Sequence, residues 1–230
     1  MREHDNILII VSHPDDEVLG CGATIARLTK EGHKVYISIF GEGITSRYQL
    51  REGADYPAVK TLHSCSRQVA KKLGASDVLF YNLPDNRFDT LPLLDIVKIV
   101  EEMIERLRPT VIYTHHIGDL NIDHSILSRA VLTATRPVRG CPVRDIYAFE
   151  VASSTEWAFG QLQPIFRPNI FVDIYDTLET KIEAMSIYES EKRSFPHPRS
   201  SDALRASARR WGSMVGVKAA EAFELIRSLK

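Results

Sequence analysis

The stretch Ile7-Leu8-Ile9-Ile10-Val11-Ser12-His13-Pro14-Asp15-Asp16-Glu17-Val18-Leu19-Gly20-Cys21-Gly22 decides the fold. Its first five residues are apolar, mostly β-branched and free of polar alternation, which reads as a central parallel strand buried on both faces. The polar run then falls at the carboxyl end of that strand, the edge where open α/β sheets bind their ligands. Pro14 stiffens the turn and is expected to hold Asp15 and Asp16 out of the following helix. Gly20 and Gly22 would let the backbone come close to whatever the cluster holds. An imidazole and a carboxylate three residues apart, as His13 and Asp16 are, offer two ligands to a divalent ion, and a mixed nitrogen and oxygen set favours zinc. A third ligand has to come from elsewhere in the chain. The adjacent carboxylate would be free to take a proton from water. The competing reading makes these acids caps of the next helix, accepting from its amides. One imidazole and three carboxylates after a single strand favour function.

A chain of 230 residues can bury a substantial core and reads as one domain, 1–230. Apolar residues make up 44% and charged residues 26%, the balance of an ordinary globular protein. A net charge of -1 supplies no basic field for nucleic acid or anionic lipid. Cys21, Cys65 and Cys141 are odd in number and widely spaced, which argues against a disulfide framework or a thiolate metal site. The leader Met1-Arg2-Glu3-His4-Asp5-Asn6 has no signal-peptide pattern, and no stretch is long enough to insert in a membrane, so a cytoplasmic location is expected. His4 is expected to be solvated and idle.

Strand and helix patterns alternate along the chain. Ala23–Glu31 has one apolar helical face and stops at Gly32, and Lys34–Phe40 is a second strand, a unit that wants a right-handed crossover and a parallel pair. Arg47, in the loop after that strand, is a candidate contact for an anion or hydroxyl of a substrate, or a surface arginine. A helix near residues 57–74, a strand at 77–81, an amphipathic helix at 91–108 and a strand at 110–114 follow. Asp85, in Pro84-Asp85-Asn86, reads as a turn former. Residues 146–151 and 169–174 look like further strands, Trp157 and Phe159 like a wall over the site, and Leu204–Leu229 like a last helix with a solvated acidic face.

The second informative run is His115-His116-Ile117-Gly118-Asp119-Leu120-Asn121-Ile122-Asp123-His124, after the 110–114 strand and before a helix. It arrives at the sheet edge that His13 and Asp16 already occupy. His124, opening the helix, is the expected third metal ligand, and Asp123 can orient an imidazole as an acceptor.

Together, the His13-Pro14-Asp15-Asp16-Glu17 signature at a strand end and the later Asp119–His124 run resemble the PIG-L/LmbE superfamily of zinc-dependent N-deacetylases. Lys181, Ala184, Tyr188 and Ser190 extend the resemblance over nearly the whole chain. It implies a single Rossmann-like three-layer α/β/α domain with a mostly parallel sheet and the active site at the strand C-terminal edge. It further implies that His13, Asp16 and His124 bind zinc, that Asp15 is the general base, and that Asp123 tunes the histidines. The implied partner is an N-acetylated sugar-containing small molecule or glycan. Many relatives carry a histidine where this chain has Asn121, and asparagine can donate a hydrogen bond but cannot deliver a proton. His197, pinned between Pro196 and Pro198, is the first candidate for the missing acid, because some relatives bring in a late histidine, sometimes from a neighbouring subunit of a homo-oligomer. His115, His116 and Asp15 acting in both directions are the alternatives. Asn121, His116 and Arg47 are candidate substrate contacts, and Arg199 beside His197 is a further cation for an acidic substrate.

Rival readings are weaker. A receiver-like phosphoacceptor module would leave His13 and His124 without a role and is about half this length. Gly20-Cys21-Gly22 lacks the full dinucleotide-binding glycine pattern. A non-catalytic zinc- and sugar-binding relative remains compatible with Asn121.

Overall fold

A computed structural model describes residues 5–49, 51–53 and 56–230; His4 lies outside them. The first strand, β1 (Asn6–Val11), is followed by α1 (Asp16–Lys30), β2 (Lys34–Gly41), α2 (Tyr56–Leu73) and β3 (Asp77–Leu83). Next come α3 (Leu93–Leu107), β4 (Val111–His115), α4 (Ile122–Ala134) and β5 (Asp145–Phe149). The chain closes with β6 (Ile170–Asp173), α5 (Leu178–Ile187), α6 (Ser201–Val215) and β7 (Ala220–Arg227). All seven strands form one sheet in the order β3-β2-β1-β4-β5-β7-β6. Strands β1 to β5 pair in parallel, with Ile7 opposite both Val35 and Val111, whereas β7 runs antiparallel to β5 and β6.

Alternation along β1 builds the three layers. Ile7, Ile9 and Val11 pack on one face with Val18, Ile25, Leu62 and Val69 of α1 and α2. Leu8 and Ile10 pack on the other with Ile96 and Val100 of α3 and Leu127 of α4. Because both faces are covered, every position of Ile7–Val11 is apolar, as a doubly covered parallel strand requires. From β1 the chain moves outward through β2 and β3, then returns to add β4 on the other side. That reversal opens a crevice at the carboxyl ends of β1 and β4. The expected Rossmann-like architecture is therefore present.

Two local expectations are corrected. Residues 204–229 are not one helix: α6 ends at Gly216, whose φ of 78° makes the left-handed cap, and β7 follows. The helix-favouring Ala-Glu-Ala-Phe-Glu-Leu run is held as a strand by pairing on both edges, a case of tertiary context overriding propensity. Its Glu221 is buried against Lys181, not solvated. At the other end of the chain, Asp16 already begins α1, with Asp15 as its N-cap. Proline restricts its own φ and the residue before it, here His13, and leaves the residues after it free to turn into a helix. Among the described residues no helix is long and apolar enough to cross a membrane.

Candidate metal centre

The turn after β1 is tied down at several points. Ser12 N donates to His115 Nε2 at 2.9 Å, and Gly41 N donates to Ser12 O at 2.7 Å, so β4 and β2 grip it from both sides. Asp15 has φ 104°, a conformation that costs a non-glycine residue energy and persists only where surroundings enforce it. Glu17 is one enforcing group: its Oε2 accepts from Asp15 N at 3.1 Å while its Oε1 accepts from Tyr188 O–H at 2.6 Å.

Three side-chain atoms converge beneath this turn. His13 Nδ1 lies 3.4 Å from Asp16 Oδ2, His124 Nε2 lies 3.2 Å from the same oxygen, and the two nitrogens are 3.4 Å apart. All three residues are buried. Ligands about 2.0–2.1 Å from a tetrahedral zinc ion stand about 3.3–3.4 Å from one another, so the triangle has the edge lengths of such a face.

Each imidazole is presented with the correct nitrogen inward. His13 Nε2 faces Asp123 Oδ2 at 3.0 Å and Asp85 Oδ1 at 3.1 Å, which assigns the ring proton to Nε2 and leaves Nδ1 free to ligate. His124 Nδ1 faces Asp119 Oδ1 at 3.2 Å, an angle too bent for a full hydrogen bond but a charge that favours a proton there and a lone pair on Nε2. The carboxylates behind the rings are themselves fixed. Asp123 accepts from Asn86 N at 2.6 Å and Phe88 N at 2.9 Å. Asp85 accepts from Ser46 N at 3.0 Å and Ser46 Oγ at 2.6 Å. Asp119 accepts from Asn121 N at 2.8 Å, from Thr155 Oγ1 at 2.5 Å and from Ser154 Oγ.

The charges follow from this packing. Burial would lower His13, but Asp123, Asp16 and Asp85 overcome it and hold the imidazole well above its ordinary value. Burial is likewise outweighed at His124, raised to about 9 by Asp16 and Asp119, and at Asp119, held down to about 2 chiefly by His124. Asp16 sits well below the carboxylate range because the charge and hydrogen bond of His124, with a hydrogen bond from His13, outweigh its burial. His115, stacked on His124 at 3.9 Å, is driven the other way by burial and by that neighbour and stays neutral. The surrounding carboxylates thus favour positive charge at the two inward ring nitrogens, a proton there or a metal ion that displaces it, which is the electrostatic setting of a divalent ion site.

Asp15 stands outside the triangle. Burial lifts its carboxyl to about 7, against the pull of Arg199, whose Nη1 donates to Asp15 Oδ2 at 2.6 Å. These groups line a polar cleft of about 200 Å³, closed on the far side by Arg47, Ser153, Ser154, Glu191 and Arg199.

Of the residues singled out in the sequence, the structure brings His13, Asp15, Asp16, Asp123 and His124 together. Asn121 lines the same cleft and caps α4, its Oδ1 accepting from Asp123 N at 2.9 Å. Arg47 also lines it, but its Nη2 is committed to both oxygens of Glu191 at 2.8 and 2.6 Å. His116 is not brought there: Nδ1 faces Glu224 at 3.0 Å and Nε2 faces Pro164 O at 2.8 Å. His197 is half-buried, packs edge-on against Trp157 and accepts from Arg199 N at 3.1 Å through Nδ1, outside the cleft lining. Asp85, expected as a turn former, is a buried partner of His13, and Glu191 carried no expectation at all. The acid-rich run 119–124 was a signal for Asp119. Asp85 and Glu191 reach the site through tertiary contacts that no local spacing announces.

Fold and site together define a three-layer α/β protein with a candidate His-Asp-His metal centre at the sheet's switch point. The chain belongs to the PIG-L family, described as GlcNAc-PI de-N-acetylase, which it matches over residues 8–135. It is 28% identical over 195 residues to an uncharacterized deacetylase, YaiS, of Escherichia coli K12, covering 82% of this chain and 93% of that one. In structure it is similar to N,N'-diacetylchitobiose deacetylase from Pyrococcus horikoshii, with a TM-score of 0.78 at 18% identity, over 97% of this chain and 84% of that one. A 4-carboxy-2-hydroxymuconate hydratase, GalB, from Pseudomonas putida KT2440 also reaches 0.78 at 17% identity over 98% of each chain. The fold alone therefore does not select between amide hydrolysis and water addition, and the choice rests on the family match and the site.

Proposed function

We propose that this protein is a zinc-dependent N-deacetylase that hydrolyses the acetamide of an N-acetylated amino sugar or of its conjugate. The observation that carries the reading is the His13–Asp16–His124 triangle with the buried carboxyl of Asp15 beside it, in the same cleft and outside the triangle. Membership of a de-N-acetylase family supports the choice of amide over other substrates of activated water.

Zinc held by His13 Nδ1, Asp16 and His124 Nε2 would acidify water and polarise the acyl carbonyl. The remaining chemistry falls to the chain. Asp15, buried in the cleft beside the triangle and outside it, is placed to take the proton of the attacking water as general base. Asp85 and Asp123 hold the His13 ring, and Asp119 the His124 ring, so the ligands are preorganised. Asn121 keeps its amide hydrogens for a substrate oxygen, since its own oxygen is used by the helix cap. With His116 engaged at both nitrogens and His197 turned to Trp157, Asp15 is the group at hand to return the proton to the leaving amine. The polar lining suits a sugar ring, whose hydroxyls need partners on several sides.

Metal content and acetate release from a panel of N-acetylated sugars, nucleotide sugars and glycoconjugates, on wild type and Asp15→Ala, test the proposal. About one zinc per chain in both, with release abolished only in Asp15→Ala, is expected. Zinc without release from any substrate would favour a binding protein, and no metal after reconstitution would overturn the reading.

A further inference from the structure

The late loop Phe195-Pro196-His197-Pro198-Arg199, expected to deliver an imidazole, delivers a guanidinium instead. Arg199 Nε donates to Ser153 Oγ at 2.8 Å, Nη1 donates to Asp15 Oδ2 at 2.6 Å, and Nη1 stands 3.6 Å from Glu191 Oε2. The backbone behind it is fixed as well: Arg199 N is held by His197, and Ser200 caps α6 by accepting from Ala203 N at 3.2 Å. These anchors consume Nε and Nη1. Nη2 has no partner among the described residues, although the side chain lines the cleft beside the base and is only 22% exposed. A planar guanidinium held at two of its three nitrogens presents the hydrogens of the third in a fixed direction, as a preorganised donor must.

We propose that Arg199 is a catalytic residue whose free Nη2 donates to the acyl oxygen of the scissile amide as that oxygen gains negative charge. The inference rests on the hydrolase reading and adds to it the residue that serves where Asn121 stands in for the expected histidine. As the oxygen of water bonds to the acyl carbon, its proton passes to Asp15 and the carbonyl π pair moves onto the acyl oxygen. Arg199 donates a hydrogen bond there and releases no proton, because a guanidinium is not deprotonated in this range. When the C–N bond breaks, that electron pair returns, the amine takes its proton from Asp15, and the acyl group leaves as the carboxylic acid, whose remaining proton passes to the amine or to solvent. The duties one histidine could combine are divided here between two residues joined at 2.6 Å.

The rival is that Arg199 only places Asp15. Lysine separates them, since Arg199→Lys can keep a cation on Asp15 but has no second nitrogen for the acyl oxygen. The inference expects Arg199→Ala and Arg199→Lys each to lower kcat by about a hundredfold, with KM and metal content little changed. Millimolar guanidinium chloride should restore part of the Arg199→Ala rate and none of the Arg199→Lys loss. A fully active Arg199→Lys enzyme, or no rescue of Arg199→Ala, overturns it. Sodium acetate, titrated by calorimetry, gives a readout without turnover: affinity should fall about tenfold or more in Arg199→Ala, and unchanged affinity, or no acetate binding to wild type, also overturns it. If that variant does not fold, Ser153→Ala, which frees Nε, should weaken both kcat and acetate binding severalfold, and a wild-type result on both counts against the inference. A wild type that releases no acetate from any sugar defeats the proposed function instead, and the acetate titration still decides Arg199.

Discussion

At the scale of single residues, the site is a set of carboxylates with separate jobs, and two of them can be tested apart from turnover. Asp123 is buried, accepts two backbone N–H groups and orients His13. Asp123→Asn would aim an amide NH2 at one of those donors and remove the charge that fixes the ring tautomer. Zinc affinity, read by competition with a chelating dye, should fall about 10–100-fold. Glu17 tests the electrostatics of the turn. Burial raises its carboxyl from 4.5 to about 8, more than the hydrogen bond from Tyr188 can offset. A carboxyl whose folded value lies above its unfolded one favours the protonated native state. Its contribution is therefore whole below about pH 4.5, declines as pH climbs toward 8 and is flat beyond. Glu17→Gln mimics the protonated group: its oxygen can accept from Asp15 N, and its NH2 can donate to Tyr188, which keeps Ser66 as acceptor. The variant should match wild type near pH 5 and exceed it by about 1–3 kcal/mol at pH 8 in denaturant unfolding. A wild-type slope in the variant would show that Glu17 is already ionised in the fold.

At the scale of elements, the sharpest feature is the break in α1 at Cys21, where φ is -148° and ψ 24°. A broken helix leaves carbonyls on one side and N–H groups on the other without partners. Both sets are served from distant strands and helices. Lys181 Nζ of α5 donates to Leu19 O at 2.8 Å, and Glu221 of β7 accepts from Ala23 N at 3.2 Å and Thr24 N at 2.7 Å. The two side chains also pair with each other at 2.6 Å. Removing one partner of a buried pair commonly costs about 3–5 kcal/mol, so Lys181→Met and Glu221→Gln should each destabilise strongly. Apolar replacement of both partners often restores stability, but here it would strand the amides of Ala23 and Thr24. Lys181→Met combined with Glu221→Leu should remain about 2 kcal/mol or more below wild type in urea unfolding. This element also marks where sequence reading stops. The strand Ile7–Val11, the polar run that follows it and the 119–124 run were legible because each carries its signal within a few residues, although Asp16 begins α1 rather than staying outside it. Glu221 was misread because strand β7 is covered at its start on both faces and so shows no alternation, while Ala, Glu and Leu favour helix. Asp85, Glu191 and the contact of Arg199 with Asp15 depend on loops meeting across the sheet edge, and nothing local encodes such meetings.

At the scale of the whole molecule, the candidate centre sits where the sheet reverses its winding, so its residues come from elements that are far apart in the chain yet adjacent in the core. His13 and Asp16 follow β1, His124 lies on α4 after β4, Asp85 follows β3, and Arg199 precedes α6. Unfolding disperses all of them, and an ion that binds the native arrangement far better than the open chain must stabilise the whole fold by mass action. At a free zinc concentration about a hundred times Kd this amounts to about 2.7 kcal/mol. For a domain of 150–250 residues, each kcal/mol moves Tm by about 2–4 °C, so zinc should raise Tm by roughly 5–10 °C. A chelator should reverse the shift. His13→Ala, lacking one ligand, should melt at the same temperature with and without zinc, whereas Asp15→Ala should keep the shift, because Asp15 lies outside the triangle. Asp123→Asn should keep it only at higher zinc, since its ligand set is intact but less well held. If Asp15→Ala lost the shift as His13→Ala does, Asp15 would be a ligand and could not also be the base. The order of melting temperatures across these variants therefore tests the division between metal holding and proton transfer without any knowledge of the substrate.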